Sequence, residues 1–209
     1  MTVDAKSDDS FVTNVDYQAN ETIETFFNTL YGEEQVTIIS EENSNTFNDE
    51  TKYNIVVDPI DGTENLVNGV PIFGVSISIY KYGISHYHIL YFPLMKEYIT
   101  SDMKHVERSK RESRLILLSS NVSLDAVQHL KAYENKEYRL YGCATYNMYS
   151  VIMNKAYMYT NHKANSYDIL AGINIANDIE GIEVFINDRP YCGEFLMRDN
   201  TYKLVMKWR

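Results

Sequence analysis

Val57-Asp58-Pro59-Ile60-Asp61-Gly62-Thr63 decides how this chain reads. Asn54-Ile55-Val56-Val57 leads into it as an apolar run of the kind that forms a buried strand. Two carboxylates, Asp58 and Asp61, then follow at the strand's exit. Pro59 fixes its own φ and biases Asp58 toward an extended backbone. Gly62 permits a sharp bend and lets backbone N–H groups come close to a ligand. Thr63-Glu64-Asn65-Leu66-Val67 has the length of one helical turn, whose free N–H groups favour an anion. Carboxylates suit Mg²⁺ and N–H donors suit phosphate; together they equip a metal-dependent phosphatase. Ordinary turn chemistry also accounts for Asp-Pro and Asp-Gly, so the D-x-x-D-G pattern alone does not carry a function.

The longer string Asp58-Pro59-Ile60-Asp61-Gly62-Thr63-x-Asn65 resembles the first signature of the inositol monophosphatase family. These are metal-dependent, lithium-sensitive phosphatases that include fructose-bisphosphatase-like and nucleotide-bisphosphate phosphatases. Leu66 stands where an aromatic residue is usual there. Ser40-Glu41-Glu42, after the apolar Val36-Thr37-Ile38-Ile39, is similar to the family's Gly-Glu-Glu, with Ser40 replacing the glycine. Val12-Thr13-Asn14-Val15-Asp16 is similar to its V-T-x-x-D. Gly142-Cys143-Ala144-Thr145 resembles the G-S-A-A helix start, and Tyr167-Asp168-Ile169-Leu170-Ala171-Gly172 the second signature, with Tyr167 in place of Trp. The segments stand in the family's order across nearly the whole chain.

The resemblance implies an α/β fold, a five-layered αβαβα sandwich trimmed at both ends. Family members usually carry further helices before the V-T-x-x-D segment and after the last strand, and a longer stretch between residues 100 and 114. A homodimer is the expected way to cover the surface those elements would bury. The resemblance also implies roles. Glu41, Asp58 and the Ile60 carbonyl would hold one Mg²⁺, and Asp58, Asp61 and Asp168 a second; Asp16 would support a third more loosely. Thr63, beside Glu41, would orient the attacking water, and the N–H groups of Gly62 and Thr63 would cradle phosphate. Ala144 and Asn161 would contact the alcohol half of the substrate. Asn161 stands where inositol-specific members carry a Glu, and His162 and Lys163 beside it suit either a second anionic group or an exposed polar loop.

Asp168 has a structural reading as well, because a carboxylate just after Ser166 at a helix start is favoured by the helix dipole. His86 and His88 share a strand face, but no third or fourth ligand is spaced for zinc, so packed or surface histidines are expected. Cys143 precedes a helix, and no Cys–His arrangement makes it a nucleophile.

The sequence has 209 residues, 44% hydrophobic and 23% charged, as expected of one globular domain. Residues 1–100 read as a metal- and phosphate-binding half and 101–209 as an α/β half. No window reaches the ~18 apolar residues of a membrane span. The polar, acidic start does not read as a secretory signal, and two distant cysteines suit a reduced cytoplasmic setting. A net charge of −10 argues against nucleic-acid or membrane partners. It does not exclude a phosphate ester, since bound cations reverse the local field.

Ile23, Phe26, Phe27 and Leu30 recur at helical spacing and predict an amphipathic helix over about 16–31. Strands are expected at 36–39 and 53–57, and a hairpin where Phe73, Val75, Ile77 and Ile79 alternate ahead of 84–92. The charged stretch 102–113 reads as a solvated connection, and the basic cluster Arg108, Lys110, Arg111 and Arg114 as a solvated face. Strand and helix then alternate: 114–119, helix 123–132, 137–141, helix 143–154, 155–160, helix 166–178, with closing strands at 182–185 and 202–206. Ser123 and Ser166 are the expected N-caps. The leading function is a Mg²⁺-dependent phosphatase for a small phosphate monoester, an inositol or sugar phosphate. The alternatives are a 3′-phosphoadenosine 5′-phosphate phosphatase, or a catalytically silent member acting as a binding or regulatory subunit.

Overall fold

A computed structural model of the chain describes residues 2–5, 11–103, 113–120 and 135–209. Tyr53–Asp61 (β4) is the strand around which the first sheet is built. Its residues 53–60 are all buried, so both faces are covered, in keeping with an unbroken apolar run rather than an alternating one. Val36–Ser40 (β3) pairs with it in parallel, and Gly74–Lys81 (β5), Ile84–Phe92 (β6) and Glu97–Thr100 (β7) continue the sheet antiparallel, in the order β3-β4-β5-β6-β7. Tyr82 and Gly83 join β5 to β6, both at positive φ, and form the expected hairpin.

The signature is not a turn after a strand, as expected, but the end of the strand itself. β4 runs on through Pro59 to Asp61, with a register shift against β5 between Asp58 and Asp61. Pro59 has no N–H for a ladder and sits inside that bulge, where none is needed. The bulge interrupts strict alternation and re-aims the side chains around it.

Two short strands, Val3–Ala5 (β1) and Phe11–Thr13 (β2), pair ahead of the helix Asn14–Tyr31 (α1). Thr13 caps α1 by accepting the Val15 N–H. The helix lies on β3 and β4 through Phe27, 4% exposed, which meets Val36, Ile38, Tyr53, Ile55 and Val57. Burying such a ring contributes about 2–3 kcal/mol. The predicted apolar stripe is only half used, since Phe26 and Leu30 are 58% and 55% exposed.

The second sheet contains Leu115–Leu118 (β8), Glu137–Leu140 (β9), Met158–Asn165 (β10), Ile182–Ile186 (β11), Arg189–Pro190 (β12) and Thr201–Trp208 (β13), in the order β12-β11-β13-β10-β8-β9. Ala144–Ile152 (α3) and Ser166–Asn177 (α4) lie between the sheets; α4 touches β4, β5 and β6 on one side and β10, β11 and β13 on the other. At Gly172 an added Cβ would lie 2.5 Å from Met148 Sδ, so the missing side chain lets α4 pack closely on α3. The Ala171-Gly172 pair therefore serves helix packing. Helix, sheet, helices and second sheet make up the layered α/β architecture expected. The predicted helix 123–132 with its Ser123 cap, and Arg108, Lys110 and Arg111, lie outside the described residues. No described helix is long and apolar enough to cross a membrane.

Two further expectations are corrected. β10 does not end at 160 but continues to Asn165 with a bulge between Asn161 and Ala164. Asn161 is consequently buried rather than on an exposed loop, while Lys163 stays exposed. The unbroken alternation that would put His86 and His88 on one face is interrupted, because His86 is the extra residue of a bulge in β6; His86 is exposed and His88 buried. His88 is packed between Ser78 and Ser85, whose hydroxyls lie 2.7 Å from Nδ1 and Nε2 respectively.

Candidate functional site

Asp58 is 1% exposed, and its Oδ1 accepts the Ile60 N–H at 3.0 Å within the bulge. Burial, then the negative charges of Glu41, Asp61 and Asp168, hold its pKa well above the usual carboxylate range. Glu41 reaches this place because β3 runs parallel to β4 with Ser40 beside Val57. The Glu41 N–H donates to the Val57 carbonyl at 3.1 Å, extending the ladder by one bond into the turn. Asn43 Oδ1 accepts from Ser40 N–H at 3.1 Å, and Ser40 Oγ accepts from Glu42 N–H at 3.2 Å. Where the family has glycine, the serine hydroxyl thus helps to build the turn.

Asp61, the last residue of β4, lies at the N-terminus of α3. Its Oδ2 accepts the Thr145 N–H and lies 3.3 Å from the Cys143 thiol. Burial raises its pKa, and these donors at a helix start oppose the rise. Asp168 sits in the first turn of α4, where Oδ2 accepts from the N–H of Asn165 at 3.2 Å and from its side-chain amide at 3.3 Å. Asn165, not Ser166, is the cap. Burial, followed by the charges of Asp61 and Glu41, lifts Asp168 well above its ordinary range. Cys143 is buried, and burial with the Asp61 charge pushes its thiol well up, consistent with its not being a nucleophile.

Gly62 follows at φ +91, and a Cβ there would lie 3.0 Å from the Ile72 carbonyl and 3.2 Å from Cys143 Cβ. It starts the expected short helix Thr63–Val67 (α2). Thr63 Oγ1 lies 3.0 Å from both Asp16 Oδ1 and the Ile60 carbonyl. Asp16 is 2% exposed, and its other oxygen accepts from the Thr13 N–H at 2.8 Å and the Thr13 hydroxyl at 2.5 Å. Both oxygens of Asp16 therefore already have hydrogen-bond partners.

A cavity of about 120 Å³ opens beside Asp61 and Asp168, lined among others by Ala144, Asn147, Asn161, Lys163 and Ser119. Asn161 donates to the Tyr159 hydroxyl at 3.1 Å and accepts the Lys163 N–H at 3.0 Å, so its amide holds the β10 bulge. Ser119 Oγ and Asn147 Oδ1 are buried on this wall without a hydrogen-bond partner among the described residues. Sequence reasoning missed both. Asn147 could have been found, as it stands one helical turn after Cys143 on the same face. It also missed Arg198, whose Nη2 donates to the Glu41 carbonyl at 3.2 Å across 157 positions. Nothing in the local sequence around Arg198 signals that contact.

Glu41, Asp58, Asp61 and Asp168 thus lie within reach of one another's charge. No three acidic, histidine or cysteine side chains among the described residues are close enough to form a ready-made ion cage. The donor set nonetheless fits a hard divalent cation. It is all oxygen, and several buried carboxylates are ionised together at low cost only beside compensating positive charge.

Solved structures share this arrangement of layers. One, of IMPase/NADP phosphatase complexed with Mg²⁺ and phosphate, matches with a TM-score of 0.82 at 22% identity, covering 100% of this chain and 82% of that one. Another, of staphylococcal inositol monophosphatase-1 soaked in LiCl as an inhibitory complex, matches with a TM-score of 0.82 at 24% identity, covering 100% and 81%. Among curated proteins, the Nus factor SuhB of Pasteurella multocida is 26% identical over 195 residues, 85% of this chain and 72% of that protein. The structural likeness defines a layered α/β sandwich. The family is shown by the model of the inositol monophosphatase family, which matches residues 1–201: the chain belongs to that family.

Proposed function

We propose that this chain is a Mg²⁺-dependent phosphatase acting on a small phosphate monoester, an inositol or sugar phosphate. The observation that carries the reading is the convergence of buried Asp58 with the partly buried Glu41, Asp61 and Asp168 around the end of β4, within reach of one another's negative charge and next to a polar cavity. In this reading Glu41, Asp58, Asp61 and Asp168 hold Mg²⁺, with the Ile60 carbonyl as a further oxygen donor, and residues 1–209 act as one unit. Bound Mg²⁺ would neutralise the phosphate dianion and lower the pKa of a coordinated water.

The chain's own groups then orient the reaction. The Thr63 hydroxyl has one hydrogen, directed at Asp16 Oδ1 or the Ile60 carbonyl. Its two lone pairs stay free to accept an O–H from the attacking water, which turns a water lone pair toward phosphorus. Asp16 takes the role of Thr63's acceptor in this reading, ahead of that of a third cation ligand. The N–H groups of Gly62 and Thr63, at the start of α2, bind phosphate oxygens. The cavity beside Ala144 receives the alcohol half, with Ser119 Oγ and Asn147 Oδ1 as partners for its hydroxyls. Its volume of about 120 Å³ favours a small polyol over a nucleotide.

The test is phosphate release from inositol, sugar and adenosine phosphates, with and without Mg²⁺. Release from a small monoester that requires Mg²⁺ supports the proposal. Preference for the adenosine bisphosphate would replace the polyol. The relative named as a Nus factor favours a regulatory reading, which absence of turnover on the whole panel despite Mg²⁺ binding would promote.

A further inference from the structure

The connection between β12 and β13 folds across the turn that carries Glu41, and two contacts join the same pair of segments. Phe195 packs its ring 4.7 Å from Phe47, just past the turn, and 4.9 Å from Tyr80 on β5. Arg198 Nη2 donates to the Glu41 carbonyl at 3.2 Å. The segment is itself anchored on both sides of Arg198: Leu196 is 4% exposed, and the Tyr202 hydroxyl donates to the Met197 carbonyl at 3.0 Å.

The consequence falls on Glu41. Its N–H is tied to Val57 of β4 and its carbonyl to Arg198, so hydrogen bonds hold the backbone on both sides of its Cα. Fixing both restricts φ and ψ together, and with them the direction of the Cα–Cβ bond. One side chain from the connection between two strands of the second sheet therefore reaches the acid-bearing turn of the first.

We propose that Arg198 is a positioning residue, which sets the aim of the Glu41 carboxylate for a divalent cation by clamping the Glu41 carbonyl from the β12–β13 connection. This rests on the reading of Glu41 as a cation ligand. A guanidinium close to a cation site also repels the cation, so the two effects oppose each other. Aim outweighs repulsion here because the charge is directed at a carbonyl, whereas a misplaced ligand loses a coordination bond.

The experiment is titration calorimetry of Mg²⁺ into purified protein, without substrate, for the wild type, Arg198→Met, Arg198→Lys and Phe195→Leu. Arg198→Met is expected to weaken Mg²⁺ binding about tenfold, the low end for loss of a group that orients a metal ligand. Arg198→Lys, with the charge kept and a shorter reach, is expected to recover part of it. Phe195→Leu loosens the same segment without touching Glu41 and is expected to stay within about twofold of wild type. Unchanged or tighter binding in Arg198→Met overturns the proposal, as does an equal loss in Phe195→Leu, which would make the effect one of general packing. Near-ultraviolet circular dichroism establishes that each variant is folded; if Arg198→Met is not, Arg198→Lys decides, and wild-type affinity there overturns the proposal. A wild type that binds Mg²⁺ without turning over any ester removes the phosphatase reading alone, and one that binds no divalent cation removes both.

Discussion

Thr63 Oγ1 lies 3.0 Å from Asp16 Oδ1, bridging 47 positions of sequence and joining the start of α1 to the start of α2. Asp16 is held in turn by the Thr13 N–H and hydroxyl, so the acceptor cannot swing away. With its hydrogen donated to Asp16, the Thr63 oxygen presents both lone pairs in set directions. Thr63→Val keeps the shape and removes the hydroxyl. If that oxygen orients the water, kcat falls about 10²-fold while KM for the ester changes little. A loss confined to KM would assign Thr63 to binding instead.

Asp58→Asn separates stability from activity. In the metal-free protein Asp58 is buried among like charges, and its folded pKa is raised above the unfolded one. Sign follows from that: the folded state binds more protons, so ionised Asp58 destabilises the fold increasingly as pH rises above the ordinary carboxylate value. Asparagine keeps an Oδ1 for the Ile60 N–H and carries no charge. Mg²⁺-dependent phosphate release is expected to vanish while the metal-free Tm at pH 7 rises by several degrees, at about 2–4 °C per kcal/mol for a domain of this size. Calorimetry with and without Mg²⁺ checks both: wild type gains Tm on adding the ion, and the variant does not.

Sequence periodicity found most of the strands and helices because both faces of β4 and the alternation of β5 and β6 are written in apolar residues. What it misplaced are the bulges. A bulge is an insertion relative to a partner strand, and the partner is not visible locally. Hence Asp58–Asp61 reads locally as a turn, Asn161 as the start of a loop, and His86 as one step of an unbroken alternation with His88. The acidic residues of the site were legible as motifs, each on a strand end or helix start. Arg198 and Ser119 were not, since their relevance arises only when the two sheets face each other across α3 and α4, and Asn147 shows only as a helical neighbour of Cys143.

Gly62→Ala tests the bend after the signature. The residue holds φ +91, and an added Cβ would meet the Ile72 carbonyl at 3.0 Å, a backbone atom with little freedom to yield. Left-handed strain costs about 1–2 kcal/mol before the contact is counted. A drop in Tm together with lost phosphate release is expected, because α2 can no longer start at Thr63 as it does here. Wild-type Tm in chemical and thermal denaturation would show that the bend tolerates a side chain.

His88 sets an acid limit to stability that is independent of the site chemistry. Burial, with the nearby His86, lowers its pKa from 6.5 to about 4, and its ring lies between the Ser78 and Ser85 hydroxyls. A base whose folded pKa is depressed is protonated first in the unfolded chain. Its contribution is therefore complete above about pH 6.5 and is lost as pH falls toward 4, by up to about 3 kcal/mol over that window. Asp58 and Asp168 act with the opposite sign in the metal-free protein, so the wild-type profile alone would not isolate the histidine. The comparison with His88→Gln does. The variant is expected to lose less stability than wild type between pH 6.5 and 4 in urea titrations at matched ionic strength; parallel profiles would mean that His88 is protonated in the fold at no penalty.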